Sequence, residues 1–375
     1  MSLSYLIWNG NPELFSIGSF SLRWYGLLFA LGFLVSQQLL YFMFKKEGKP
    51  EKDVDTLTLY MVIATILGAR LGHVIFYQPE LFTENPLGVI LPFEFSPKFR
   101  FTGLQGLASH GGAFAILFAL WLYARKKKPG QNYLQTLDRI VILVALTGCF
   151  IRLGNFFNSE IIGKVTNNPA SVVFLNPVIS DMYRGPAGGR EPFDGIVAKK
   201  DTARSSTAYG QEPLVLYAFF KEGVSREEAQ NYVWDRIATA LGRHPEFVVP
   251  PADNLNFTVY PFGSRGYAAK VYFTAIKRHP AQLYESISCL LLFIWLFWIW
   301  NQHKNNLPEG RIFGIFMIVL WGLRFAYEFL KEPQVDFENS LPLYMGQILS
   351  IPLFIAGVYI LVRSYRIKPS VAEKV

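Results

Sequence analysis

Cysteine and charge are both scarce in this chain. It has 2 cysteines in 375 residues, and only 17% of its residues are charged. Two cysteines exclude a disulfide-stapled scaffold. Soluble domains carry about 25% charged residues, so this chain cannot cover the surface of the two or three water-facing domains its length would allow. Gly and Pro, at 30 and 22 residues, are near their usual share, which excludes collagen-like and low-complexity chains. No P-loop, His-Glu-x-x-His, dinucleotide-binding glycine pattern or Cys-x-x-Cys pair occurs. No metal, nucleotide cofactor or nucleic-acid partner is therefore expected.

The chain is instead apolar: 51% hydrophobic and 16% aromatic, with 33 Phe. So much apolar surface would collapse, which excludes disorder. An all-α integral membrane protein remains. A membrane helix needs about 20 mostly apolar residues. Seven runs qualify: Trp24–Phe44, Thr56–Tyr77, Gly103–Ala124, Ile140–Phe157, Ala281–Trp300, Ile312–Leu330 and Leu341–Val362. No basic leader precedes the first run and no small-residue cleavage site follows it, so it is expected to be a retained span.

Lys and Arg set the orientation. The loops 45–55, 125–139 and 301–311 and the tail after Val362 hold 15 of them, whereas segments 1–22, 78–102 and 331–340 hold three, Lys98, Arg100 and Lys331. The N-terminus is therefore expected outside and the C-terminus in the cytoplasm. Three parts follow: spans one to four over 1–157, an external segment over 158–280, and spans five to seven with a cytoplasmic tail over 281–375. The segment 158–280 is polar and rich in Pro, Gly and charge. Leu214–Phe220 reads as a strand and Arg226–Leu241 as a helix, which predicts a small external α/β head.

An ionisable residue inside a span is costly and points to function by default. With this orientation Arg70, His73, His110, Arg152, Glu285, Arg324 and Glu328 all fall in the outer half of the bilayer, while the inner half is apolar. At about 1.5 Å per residue, Arg152 lies roughly 8 Å below the outer surface. A through-going ion path would need polar groups at every depth; this distribution describes a polar cavity open to the outer leaflet. Guanidinium stays charged and binds phosphate bidentately, so Arg70, Arg152 and Arg324 suggest a phospholipid headgroup. Structural pairing with Glu285 and Glu328 is the competing reading; Arg324 and Glu328 are four apart on one helix face.

His110 stands in Ser109-His110-Gly111-Gly112, where the glycines admit a close approach to the backbone. It is either a proton acceptor near neutral pH or a hydrogen-bonded residue at a helix contact. Arg152 and Asn155 share a helix face, with Glu160 two turns on if the helix continues. His279-Pro-Ala-Gln282-Leu-Tyr284-Glu285 opens the fifth run, with Pro280 suited to a first helical turn. Cys149 and Cys289 read as small packing residues.

Taken in order, Trp24-Tyr25-Gly26, Gly68-Ala-Arg70, Ser109-His110-Gly111-Gly112, Arg152-Leu-Gly154-Asn155-Phe-Phe-Asn158-Ser-Glu160-Ile-Ile-Gly163, His279-Pro-Ala-Gln282-Leu-Tyr284-Glu285, Arg324-Phe-Ala-Tyr-Glu328 and Met345-Gly-Gln347-Ile-Leu-Ser350 form a set. As a set the chain resembles the prolipoprotein diacylglyceryl transferases of bacteria. The resemblance implies a seven-span enzyme of the inner membrane, its active site facing the outer leaflet and periplasm. Its partners would be phosphatidylglycerol, the signal peptide of a prolipoprotein with its lipobox cysteine, and the surrounding membrane lipids. The resemblance implies catalytic roles for Tyr25, His110, Arg152 and Arg324. It implies binding roles for Arg152, Asn155, Glu160 and Gly163, with Gly111, Arg70, Glu328, Gln282, Tyr284 and Glu285 beside them. Two features depart from the family's pattern: Lys331 stands where members often carry Arg, and segment 158–280 is longer than in typical members.

In that chemistry a thiolate attacks the glycerol carbon bearing the phosphoester, and glycerol phosphate leaves. Arg152 and Arg324 would stabilise the leaving charge, and His110 would take the thiol proton. The same arginines would also serve a transporter or flippase of an anionic lipid, which forms no bond. An intramembrane protease would need a Ser–His pair or two aspartates, and a scaffold would not depend on Arg152.

Overall fold

The computed structural model describes residues 5–17, 20–89, 93–94, 100–101, 108–184, 191–205, 208–251, 254–263, 266–333 and 342–366. The helices are α1 (Trp24–Lys46), α2 (Lys52–Tyr77), α3 (Leu81–Glu84), α4 (Ser109–Ala124), α5 (Tyr133–Asn158), α6 (Asn176–Arg184), α7 (Arg226–Tyr232), α8 (Thr239–Arg243), α9 (Ala281–His303), α10 (Arg311–Glu328) and α11 (Met345–Arg366). The strands are β1 (Leu6–Trp8), β2 (Glu13–Ile17), β3 (Phe20–Arg23), β4 (Phe93–Glu94), β5 (Arg100–Phe101), β6 (Val172–Phe174), β7 (Phe193–Lys200), β8 (Gln211–Phe220), β9 (Val248–Val249), β10 (Phe257–Phe262) and β11 (Gly266–Ile276).

Among the described residues, α1, α2, α5, α9 and α11 are long and apolar enough to cross a membrane. Their outward faces stay apolar and uncovered: Leu59, Ile63, Leu291, Trp298, Ile355 and Tyr359 are all exposed. Water would penalise such faces and lipid does not, so the chain is an integral membrane protein. The runs expected around 103–124 and 312–330 are found as α4 and α10, with Gly103–Leu107 outside the described residues. Helix α4 is short, and α10 spans 18 residues that include Arg311, Arg324 and Glu328.

Two compact units make up the chain, and their boundaries fall inside the long helices. The first comprises Met1–Gly32, Gly148–Cys289 and Leu323–Ile351; the second comprises Phe33–Thr147, Leu290–Gly322 and Pro352–Val375.

In the first unit an antiparallel sheet runs in the order β10-β11-β8-β7, with β9 on β11. Leu216 of β8 pairs with Val271 of β11 on one side and Ala198 of β7 on the other. Buried positions along β7 and β11 alternate with more exposed ones, the period-two signature of a half-covered sheet. The inward residues Leu214, Leu216, Val271 and Phe273 pack with Ile237 and Leu241 in one apolar core. The helix expected over Arg226–Leu241 is found as α7, a π-helical turn at Val233–Ala238, and α8. Ser225 opens it with a capping box: Glu228 N–H donates to Ser225 Oγ (3.2 Å), and Ser225 N–H donates to the Glu228 carboxylate (2.8 Å).

The sheet hands the chain to α9 through Lys277-Arg278-His279. That passage is stitched to residues 162–166 by backbone bonds: Gly163 N–H to His279 O (3.1 Å), His279 N–H to Lys164 O (3.0 Å) and Thr166 N–H to Lys277 O (2.9 Å). Residues 162–164 also meet the end of α10, with Lys164 N–H donating to Leu330 O at 2.7 Å.

The second unit is helical. Gly68 and Gly72 of α2 face Gly111 of α4 so closely that a Cβ on Gly111 would meet Gly68 O at 2.2 Å and Gly72 Cα at 2.7 Å. This is the small-residue helix contact that lets backbones approach in a membrane. Ala108 N–H donates to Ala69 O (2.9 Å), pinning the start of α4 there. Elsewhere in this unit Glu47 is buried and accepts from Arg139 Nε (2.7 Å), Trp300 Nε1 (2.6 Å) and Lys49. Asp138 accepts from the backbone N–H groups of Gly310 (2.7 Å) and Phe313 (2.8 Å) at the start of α10.

Candidate active site

The last two turns of α5 carry Arg152 and Asn155, three residues apart on one face. Arg152 Nη1 donates to Asn155 Oδ1 at 3.4 Å, and Asn155 Nδ2 donates to Glu160 Oε2 at 3.1 Å. The sequence places Glu160 two turns on only if the helix continues, and it does not. Helix α5 stops at Asn158, and Ser159 and Ile161 take positive φ values of 55° and 56°. Non-glycine residues rarely adopt that region. The kink turns the Glu160 carboxylate back toward Asn155 and Asn158, whose Nδ2 donates to it at 3.1 Å.

On its other side Arg152 meets the first turn of α9. Its Nε lies 2.5 Å from Glu285 Oε2, and the second Glu285 oxygen pairs with the Lys331 ammonium. Lys331 also lies 3.3 Å from Glu328 Oε2. The result is a continuous chain of alternating sign, Glu160–Asn155–Arg152–Glu285–Lys331–Glu328. Lys331 and Glu285 are buried, whereas 21% of the Arg152 side chain is exposed and open to a ligand. Buried ions survive only when paired and hydrogen-bonded in this way. Lys331 was not among the expected site residues. Its one local signal is the three-residue spacing from Glu328; the pairing with Glu285 is long-range and leaves no mark in local spacing.

The backbone around these side chains is tightly packed. A Cβ on Gly163 would meet His279 O at 2.4 Å, one on Gly154 would meet Tyr25 Cδ2 at 2.9 Å, and one on Gly346 would meet Glu328 Oε1 at 2.4 Å. Glu328 therefore rests against the first turn of α11, where helix N–H groups favour negative charge. Arg278 Nη1 donates to Gly163 O (3.1 Å) and to Glu332 Oε1 (2.6 Å), bracing the strap formed by residues 160–166. Gln282 is buried and donates to Glu160 O at 2.5 Å. Tyr284 Oη shares a 3.3 Å hydrogen bond with His279 Nδ1. Burial holds the His279 imidazole below its ordinary value, so it is neutral at pH 7. Arg324 is half-buried on α10, one turn before Glu328.

Tyr25, Arg152, Asn155, Glu160, Gly163, Gln282, Tyr284, Glu285, Arg324 and Glu328 thus all belong to the first unit. Arg70, His110 and Gly111 belong to the second. Arg70 donates to Val89 O (3.1 Å) and Gly88 O (2.7 Å), fastening the turn that follows α3. The backbone of His110 lies in the first turn of α4, and its side chain lies outside the described residues.

Arginine next to a shared carboxylate and an amide is equipped to receive an anionic group such as a phosphate. The family model for prolipoprotein diacylglyceryl transferase matches residues 12–363. The chain belongs to the prolipoprotein diacylglyceryl transferase family. Curated relatives named phosphatidylglycerol–prolipoprotein diacylglyceryl transferase agree along nearly the whole length. One from Bacteroides fragilis is 32% identical over 354 residues, covering 94% of this chain and 92% of its own. One from Tolumonas auensis is 30% identical over 363 residues, covering 97% and 99%. One from Chloroherpeton thalassium is 30% identical over 366 residues, covering 97% and 96%. Every member of the charged network, Lys331 included, lies inside the segment matched by the transferase family.

Proposed function

We propose that this chain transfers the diacylglyceryl group of phosphatidylglycerol to the lipobox cysteine of a prolipoprotein. This is the first step of lipoprotein maturation. The observation that carries the reading is the Arg152–Glu285–Lys331 relay, which holds a partly exposed guanidinium at a fixed place in a chain of this family.

The acceptor thiol gives its proton to a base, for which His110 is the candidate. The thiolate attacks the glycerol carbon that bears the phosphoester. A carbon–sulfur bond forms, the carbon–oxygen bond to phosphate breaks, and glycerol phosphate departs with the bonding pair. Arg152 and Arg324 stabilise the charge that builds on the leaving phosphate. Asn155 and Glu285 aim Arg152; Lys331 holds Glu285 in place. Tyr25, packed on Gly154, contributes to the same region. Gln282 and Tyr284 secure the strap through Glu160 and His279.

The topology that suits this chemistry has seven spans, with α4 and α10 crossing beside the five longer helices, the N-terminus outside and the C-terminus in the cytoplasm. The enzyme then sits in the inner membrane with its site facing the outer leaflet, and 158–280 is the external segment. An exported cysteine and an outer-leaflet lipid reach one site only in this orientation.

Incubation of the purified protein with a lipobox peptide and phosphatidylglycerol labelled in the glycerol of its diacylglyceryl group tests the reading. Label is expected on the peptide in a linkage stable to mild base. Label that moves between leaflets but never joins the peptide would identify a lipid translocator instead.

A further inference from the structure

The first unit contains a cavity of about 540 Å³, within the 300–1,000 Å³ range of ligand sites. Its wall includes Asn158, Glu160, Asp181, Arg184, Arg243 and Arg23. Both signs of charge face it. Asp181 is held by Arg243 Nη1 at 3.5 Å and His244 Nε2 at 3.7 Å, and Arg23 is held by Glu13 at 3.7 Å. A wall that carries three guanidinium groups and two carboxylates serves acyl chains poorly, and the carboxylates oppose a small anion. An extended peptide presents donors and acceptors along every ~3.3–3.6 Å of its length, which a wall of mixed character can match. One buried acceptor, Asn158 Oδ1, has no hydrogen-bond partner among the described residues, and buried acceptors are rarely left so.

Glu160 connects this cavity to the network. Its carboxylate accepts from Asn155, which accepts from Arg152. A cysteine held for reaction at Arg152 must send the residues that follow it away from the membrane. We propose that the cavity binds the first residues after the acceptor cysteine in extended form and so sets preference among acceptor proteins. This inference rests on the transfer function proposed above.

Two measurements test it. The first compares lipobox peptides that end at the cysteine with peptides extended by two, four and six residues. Extension is expected to lower KM about tenfold, the weight of one or two hydrogen bonds, with kcat little changed. Ser180 also lines the cavity; Ser180→Trp, which narrows it, and Arg184→Ala are expected to abolish that gain while leaving the cysteine-terminated peptide unaffected. A KM indifferent to extension would overturn the proposal. So would variants that slow both peptide classes equally, which would give the cavity to lipid or product. The second places a photoreactive residue two positions after the cysteine and maps the crosslink on the intact protein. A crosslink within 176–184 or at 243–244 supports the cavity whether or not transfer occurs; a crosslink elsewhere refutes it. Failure of every peptide to accept label, with the crosslink in place, would sink the transfer function and leave the binding site standing.

Discussion

Arg152 near the end of α5 and Glu285 in the first turn of α9 meet across 2.5 Å, joining two helices that lie more than a hundred residues apart in sequence. Glu285 is also the carboxylate that Lys331 needs. Glu285→Gln therefore leaves two cations side by side and disorients the guanidinium. Breaking a buried pair costs about 3–5 kcal/mol, and misplacing a catalytic group by about 1 Å costs roughly a hundredfold in rate. Thermal unfolding in detergent and turnover are both expected to fall. An unchanged rate would remove Glu285 from the positioning of Arg152.

Lys331 is expected to be needed for its charge. Lys331→Met strands Glu328 and half of Glu285, whereas Lys331→Arg keeps a cation between them. The first variant should lose most activity and stability; the second should keep most of both. Equal losses in the two variants would mean that shape, not charge, matters at this position.

Gly163→Ala and Gly111→Ala place a methyl 2.4 Å from His279 O and 2.2 Å from Gly68 O respectively. Backbone cannot yield as a flexible side chain does. Overpacking of this kind costs about 1–3 kcal/mol, read as a lower unfolding temperature for each variant. Wild-type stability in either would mean that the strap or the α2–α4 crossing yields to the added methyl.

Much of this was legible in the sequence. Apolar runs locate the helices because lipid demands that length and composition. Arg152 and Asn155 could be paired because helical spacing puts them on one face. The spacing puts Glu160 near them only if the helix continues; its bond to Asn155 is made instead through the left-handed residues Ser159 and Ile161, which no side-chain pattern announces. Lys331 lies in a short loop, where a lysine usually reads as solvated. Only the tertiary approach of α9 to the end of α10 gives it two carboxylates. The seven-run reading also met two helices of a different kind, one short and one carrying three charges.

Acid stability is expected to depend on Glu47. Burial raises its carboxyl, but Arg139 and Lys49 outweigh that and hold it below its ordinary value of 4.5. A depressed carboxylate contributes fully above that ordinary value, and its contribution is lost as pH falls through the lower folded value. Unfolding temperature should therefore drop below about pH 4.5 in the wild-type protein, and Glu47→Gln should lower stability at pH 7 and flatten that drop. An identical pH profile in the variant would assign the acid transition to other groups.

His110→Gln is expected to reduce turnover by about 10²–10⁴-fold, the usual weight of a general base, and to remove the acid limb of the rate–pH profile. Near-normal turnover at all pH values would pass the base role to another group.

The central claim is that the headgroup phosphate is the leaving group of a transfer to sulfur. It is tested most directly with phosphatidylglycerol labelled with ³²P in the headgroup and ³H in the diacylglycerol backbone, supplied with a lipobox peptide. The expected result is ³H on the peptide cysteine and an equal molar amount of ³²P released as water-soluble glycerol phosphate, both lost in Arg152→Ala that still inserts in the membrane. Both labels remaining together on lipid, or both reaching the peptide, would contradict it.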